Sequence, residues 1–278
     1  MDEPASPATG RAGRNLPVAI AVGVGLGVIV IALLVFLRQG FVAVIVAAIG
    51  ASIWEMRSTL ATRNINLAWP PLLAGAVATI VLTWWYGHTA QVIGVVLTAL
   101  AILVWRFRAG AAGYLADVTA SMFLLVYLGL FASFATLLIR PEDGSGRILL
   151  FLIPVVCSDV GGYAAGVLFG KHPMAPTISP KKSWEGFAGS LLLAATGGAI
   201  AIELLLHHPW WQGLLIGLAL ALTATAGDLA ESLIKRDLGV KDMGTLLPGH
   251  GGVMDRLDSL LPSAVIAWCL LQLFVPAG

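Results

Sequence analysis

Leu214–Ala226, LLIGLALALTATA, runs without a break into Gly227–Ser259, GDLAESLIKRDLGVKDMGTLLPGHGGVMDRLDS. The first stretch carries no charge, whereas the second holds 10 of the chain's 31 charged residues in 33 positions. An apolar run of this kind suits lipid or a bundle interior. Carboxylates at its end are costly unless they are paired or bound to a cation, so they are functional candidates. On a continuing helix Asp228, Glu231 and Lys235 stand at i, i+3 and i+7 and share one face. The turn-rich Leu247-Pro-Gly-His-Gly-Gly252 follows, in which Gly251 and Gly252 allow main-chain N–H groups to approach a ligand closely. Asp255 and Asp258, again at i, i+3, close the island.

Working outward, composition sets the surroundings. Of 278 residues, 58% are hydrophobic and 11% charged, and the mean hydropathy of +0.91 lies beyond the range of soluble domains of this length. The chain reads as an all-α, polytopic integral membrane protein. Cys157 and Cys269 both sit in apolar runs and suggest neither a disulfide framework nor a zinc site. The net charge of +1 says little as a sum, and no nucleic-acid partner is expected.

Residues 1–16, rich in Pro, Ala and Gly with both signs of charge, read as a disordered tail. Nine spans follow: Pro17 to Leu37, Phe41 to Met56, Pro70 to Tyr86, Thr89 to Trp105, Leu115 to Ile139, Ile148 to Phe169, Phe187 to Leu206, Trp210 to Ile234 and Leu260 to Val275. Arg38-Gln-Gly40 reads as a tight turn, and Asp117 as the cap of the fifth span. Trp84-Trp85-Tyr86 matches an interfacial aromatic belt. With nine spans, 13 of the 16 Lys and Arg fall on the side of the N-terminus, against Arg38, Arg140 and Arg147 opposite. That bias makes the N-terminus and both C-terminal charged loops cytoplasmic. The first four spans carry no recognisable chemistry. They suggest a lipid-facing and dimer-forming scaffold (residues 17–139) beside a catalytic region (residues 140–278).

The second charged island is Ser158–Gly186, SDVGGYAAGVLFGKHPMAPTISPKKSWEG. Asp159 lies inside the sixth span beside Gly161, Gly162 and Gly166, residues that equally suit close helix packing. Ser179, Lys181 and Lys182 offer donors in a loop stiffened by Pro173, Pro176 and Pro180. A nonspecific lipid-head patch needs no fixed shape, whereas an anion site benefits from one.

Ser232-Leu-Ile-Lys-Arg236, Lys241-Asp-Met-Gly244, Leu247-Pro-Gly-His-Gly-Gly252 and Asp255-Arg-Leu-Asp258 closely resemble the C-terminal motif of phosphatidate cytidylyltransferases, also called CDP-diacylglycerol synthases. Gly227-Asp228 and Ser179-Pro-Lys-Lys-Ser-Trp-Glu-Gly186 are similar to the family's other marked segments. Asp159 matches as well, although Val160 and Gly162 stand where many relatives carry Thr or Ser and Ala.

The resemblance implies that CTP and phosphatidate give CDP-diacylglycerol and pyrophosphate, with Mg²⁺ and room for a second, monovalent cation. Such chemistry has to offset several negative charges and hold the attacking and leaving oxygens in line. A hard cation on carboxylates does both. Asp228 and Asp255 are the expected metal ligands, with Glu231 and Asp258 behind them. Lys235, Arg236, Lys241 and Arg256 are expected on phosphates, with Asp242 orienting them and His250 beside them. Ser179, Lys181, Lys182, Asp159, Ser232, Gly251 and Gly252 are expected to bind substrate. A bacterial plasma membrane, with the site facing the cytoplasm, is the expected location. Two other classes share these features: a secondary transporter, which would more often show two related halves, and a CTP-dependent lipid kinase or other head-group transferase.

Overall fold

The computed structural model describes residues 16–244, 246 and 251–276. In chain order the helices are α1 (Leu16–Phe36), α2 (Arg38–Ala61), α3 (Trp69–Tyr86), α4 (His88–Trp105), α5 (Tyr114–Leu124) and α6 (Phe131–Ile139), then α7 (Gly144–Phe169), α8 (Trp184–Leu206), α9 (Trp210–Leu238), the one-turn α10 (Met254–Leu257) and α11 (Leu260–Phe274). A π-turn at Leu125–Leu130 joins α5 to α6 without a break. Among the described residues, seven stretches are long and apolar enough to cross a membrane: α2, α4 with its short extension, α5 through α6, α7, α8, α9, and α10 with α11. The fold is therefore an α-helical polytopic membrane bundle. The tail at residues 1–15 lies outside the described residues.

Several expected boundaries move. Arg38-Gln-Gly40 is the first turn of α2 rather than a loop, and only Leu37 interrupts the helices. Arg38 Nη1 donates to the carbonyls of Pro141 (2.5 Å) and Glu142 (3.0 Å), which fixes that turn in place. The second span continues past Met56 to Ala61, and the eighth past Ile234 to Leu238, where Gly239 ends it at φ +70°. That φ suits a residue without Cβ. Asp117 is not a cap. It is buried, paired with Arg106, and accepts the Asn66 N–H at 2.7 Å, so it ties the loop before α3 to the end of α4.

The loop between α7 and α8 departs from an all-helical chain. β1 (Pro173–Ala175) and β2 (Ser179–Ser183) form an antiparallel hairpin with Pro173 opposite Ser183 and Ala175 opposite Ser179. Proline lacks the N–H a helix interior needs, and three prolines in eight positions leave extended backbone as the available alternative.

Contacts sort the loops into two ends. Ser145 Oγ donates to Leu34 O (2.6 Å), Arg38 to Pro141 O, and Arg140 Nε to Trp84 O (3.2 Å), so those loops share one end. Arg63 Nε donates to Leu238 O (3.2 Å) and Arg236 Nε to Ile178 O, at the other. All the residues of the charged islands that are described lie at this second end.

A glycine seam frames α8 along its length. A Cβ built at Gly161 would stand 2.5 Å from Gly189 O, and one at Gly189 2.6 Å from Gly161 O. Across the other face of α8, Cβ atoms at Gly198 and Gly213 would each overlap the other's carbonyl. Without these glycines α8 cannot approach α7 and α9 backbone to backbone, the contact that membrane helices use in place of a hydrophobic drive.

Candidate active site

Three elements meet around the C-terminal third of α9. The α7–α8 seam brings Asp159 to one wall. The hairpin carries Lys181 and Lys182 over the top, and Gly227 lets the segment after α10 press against α9, since a Cβ there would overlap Asp258 O. The result is a cleft of about 310 Å³ lined by Asp159, Tyr163, Lys181, Lys182, Thr225 and Asp228, among others. Lys182 Nζ meets Asp228 Oδ2 at 2.5 Å. Asp228 stays 40% exposed and accepts a long contact from Ser232 Oγ at 3.5 Å. Ser183 caps α8 by accepting the Gly186 N–H at 3.1 Å, so the positive end of that helix dipole borders the same cleft.

Two turns farther along α9, Lys235 bridges two acids. It pairs with Glu231 on its own helix and with Asp255 Oδ1 at 3.0 Å. Glu231 is fully buried, and its Oε1 has no hydrogen-bond partner among the described residues. The Asp255 carboxylate also accepts the N–H groups of Met243 (3.0 Å) and Gly252 (2.9 Å). Asp258 is buried and accepts the Ser259 N–H at 2.7 Å, while its carbonyl accepts the Tyr127 hydroxyl.

The remaining expected residues take different places. Arg236 Nε holds the Ile178 carbonyl and so fastens the hairpin to α9. Ser179 sits in the ladder opposite Ala175. Lys241 and Arg256 are exposed, and Asp242 is half-buried. Gly251 adopts φ +85°, which suits a residue without Cβ. His250 lies outside the described residues.

Sequence reasoning missed the contribution of α2. Glu55 is 4% exposed and accepts the N–H groups of Val253 (3.1 Å) and Met254 (3.0 Å). Thr59 Oγ1 donates to Met243 O at 3.1 Å, and Arg63 to Asp237 O at 2.9 Å. Glu185, in the first turn of α8, accepts the Lys171 and His172 N–H groups and pairs with the His172 ring, tying off the base of the hairpin.

A sequence model of the cytidylyltransferase family matches residues 17–274. This chain belongs to the cytidylyltransferase family. Proteins named phosphatidate cytidylyltransferase from Mycobacterium bovis and Mycobacterium leprae are each 47% identical to it over 95% of its length, covering 91% and 90% of their own. One of the same name from Helicobacter pylori is 42% identical over 54% of each chain. Membership gives the cleft its chemical setting: a cytidylyltransferase handles polyphosphate. The cleft has suitable parts, with two lysines and a helix N-terminus for anions and a row of acids for a cation.

No group of three or more His, Cys, Asp or Glu side chains stands ready-made around a metal position among the described residues. The donor set nevertheless fits a hard cation, being carboxylate oxygen throughout. Lys182 and Lys235 balance only part of the charge on Asp228, Glu231, Asp255 and Asp258, and the buried Glu231 Oε1 lacks a donor.

Proposed function

We propose that this chain is a phosphatidate cytidylyltransferase, joining CTP and phosphatidate to give CDP-diacylglycerol and pyrophosphate. One observation carries the reading. The two charged islands, separated by about forty residues of chain, close on each other through Lys182 and Asp228 in a single cleft, and 95% of the chain aligns with relatives that bear this name.

A phosphatidate phosphate oxygen attacks the α-phosphorus of CTP, and pyrophosphate leaves from the opposite side. The nucleophile is already ionised at neutral pH, so the protein's work is alignment and charge compensation rather than proton removal. Lys181, Lys182 and the N-terminus of α8 receive the nucleotide phosphates. Lys235 and Arg256 compensate charge on the lipid side, and Arg236 keeps the hairpin in register. Mg²⁺, when bound, offsets phosphate charge and templates the in-line geometry. Asp228 and Asp255 would hold it, with Glu231 and Asp258 behind them. Asp228 opens onto the cleft, and Asp255 accepts from three donors with about four lone-pair positions. A second, monovalent cation would draw on the same acid row.

All nine helical runs cross the bilayer in this reading, with α1 and the 18-residue, uncharged α3 joining the seven that meet the length and hydropathy requirement. The excess of Lys and Arg at the site's end supports a reading in which the site and the N-terminus face the cytoplasmic side of a bacterial plasma membrane. Residues 17–139 then face lipid and a second copy of the chain, and residues 140–278 carry the reacting groups. Supplying purified protein with labelled CTP and phosphatidate tests the function. CDP-diacylglycerol is the expected product, a phosphorylated lipid would assign a kinase, and absence of any product would favour a transporter.

A further inference from the structure

The segment that bears Asp255 and Arg256 is held in part by a distant helix. Its first turn, α10, receives its negative cap from α2, because Glu55 accepts the Val253 and Met254 N–H groups where a helix N-terminus favours an anion. The carboxylate sits in a fitted slot. A Cβ added at Gly244 would overlap it, and one at Gly252 would stand 2.7 Å from Glu55 Oε2 and 2.9 Å from Asp255 Oδ2. Gly244 and Gly252 are thus small because two carboxylates and two chain segments converge there. The consecutive N–H groups of Gly252, Val253 and Met254 are divided between Asp255 and Glu55. Thr59, one helical turn on, fastens Met243, whose N–H in turn reaches Asp255.

We propose that Glu55 is a positioning residue for cytidylyl transfer: it sets the start of α10, and through it the placement of Asp255 and the Lys235 that Asp255 holds. The inference deepens the proposed function and rests on it for the kinetic effect, though not for the local ordering. The test is Glu55→Ala in detergent-purified full-length protein, read by amide hydrogen exchange and by steady-state kinetics on one preparation. Exchange in peptides covering 243–258 should rise roughly tenfold or more, as buried N–H groups lose a charged acceptor, while α7–α8 peptides stay unchanged. The kcat should fall on the order of 10²-fold, the scale of a small misplacement of catalytic groups. The KM for phosphatidate should rise about tenfold, a change that mere loss of folded enzyme does not produce. Glu55→Gln, which keeps the shape and one good acceptor, should recover part of the loss, and Gly244→Ala should reproduce it. Unchanged exchange in 243–258 overturns the proposal, as does wild-type kcat in both Glu55→Gln and Gly244→Ala should Glu55→Ala fail to fold. A wild type that makes no CDP-diacylglycerol, with exchange still raised locally in Glu55→Ala, removes the function and leaves the positioning role standing.

Discussion

Lys235 lies between Glu231, which is fully buried, and Asp255, whose side chain is 5% exposed. Removing the ammonium as Lys235→Met leaves two carboxylates without their counter-ion in a dry setting. That should cost about 3–5 kcal/mol of stability, visible as a large drop in thermal midpoint in micelles. Asp228 differs, because its pair with Lys182 is open to solvent and is worth at most ~1 kcal/mol. Asp228→Asn should therefore unfold at nearly the wild-type temperature while CDP-diacylglycerol formation is abolished, and retained turnover would remove Asp228 from the site. The shared face of Asp228, Glu231 and Lys235 was legible because a helix repeats every 3.6 residues. Glu55 was not, since its partners lie 198 and 199 positions away. A signal existed even so: an acid in the apolar run before Met56 falls under the rule that singled out Asp159.

Among the elements, α8 is the one gripped on both sides. Gly161 and Gly189 fit one face, and Gly198 and Gly213 the other. Gly213→Ala places a methyl where the Gly198 carbonyl already stands, and main chain cannot swing aside as a side chain does. Overpacking of this kind should cost about 1–3 kcal/mol, measurable as earlier unfolding in a denaturing-detergent titration, with substrate affinity disturbed because α8 also carries the cleft's helix N-terminus. The apolar runs gave the helices readily. Their ends were misjudged where distant groups decide them, as with Arg38 reaching the carbonyls of Pro141 and Glu142. The hairpin escaped because prolines say what a loop cannot be, whereas its pairing depends on Arg236 and Glu185 pinning both its tip and its base.

Across the whole molecule, the pattern of basic residues and the contacts between loops agree on which loops lie together. Single cysteines should accordingly separate by side when Cys157 and Cys269 are first replaced. A cysteine at Lys181 or Gly239 should react with an impermeant maleimide only in inside-out vesicles, and one at Glu142 only in right-side-out vesicles. The reverse pattern would invert the proposed orientation. The clasp between α2 and α10 has a consequence for how the polypeptide may be divided. A chain severed in the Gly110–Gly113 connection would put Glu55 on one fragment and Asp255 on the other, so neither expressed alone should make CDP-diacylglycerol. Produced together in one membrane, the fragments should find each other and regain synthesis, and a Glu55→Ala first fragment should fail to complement.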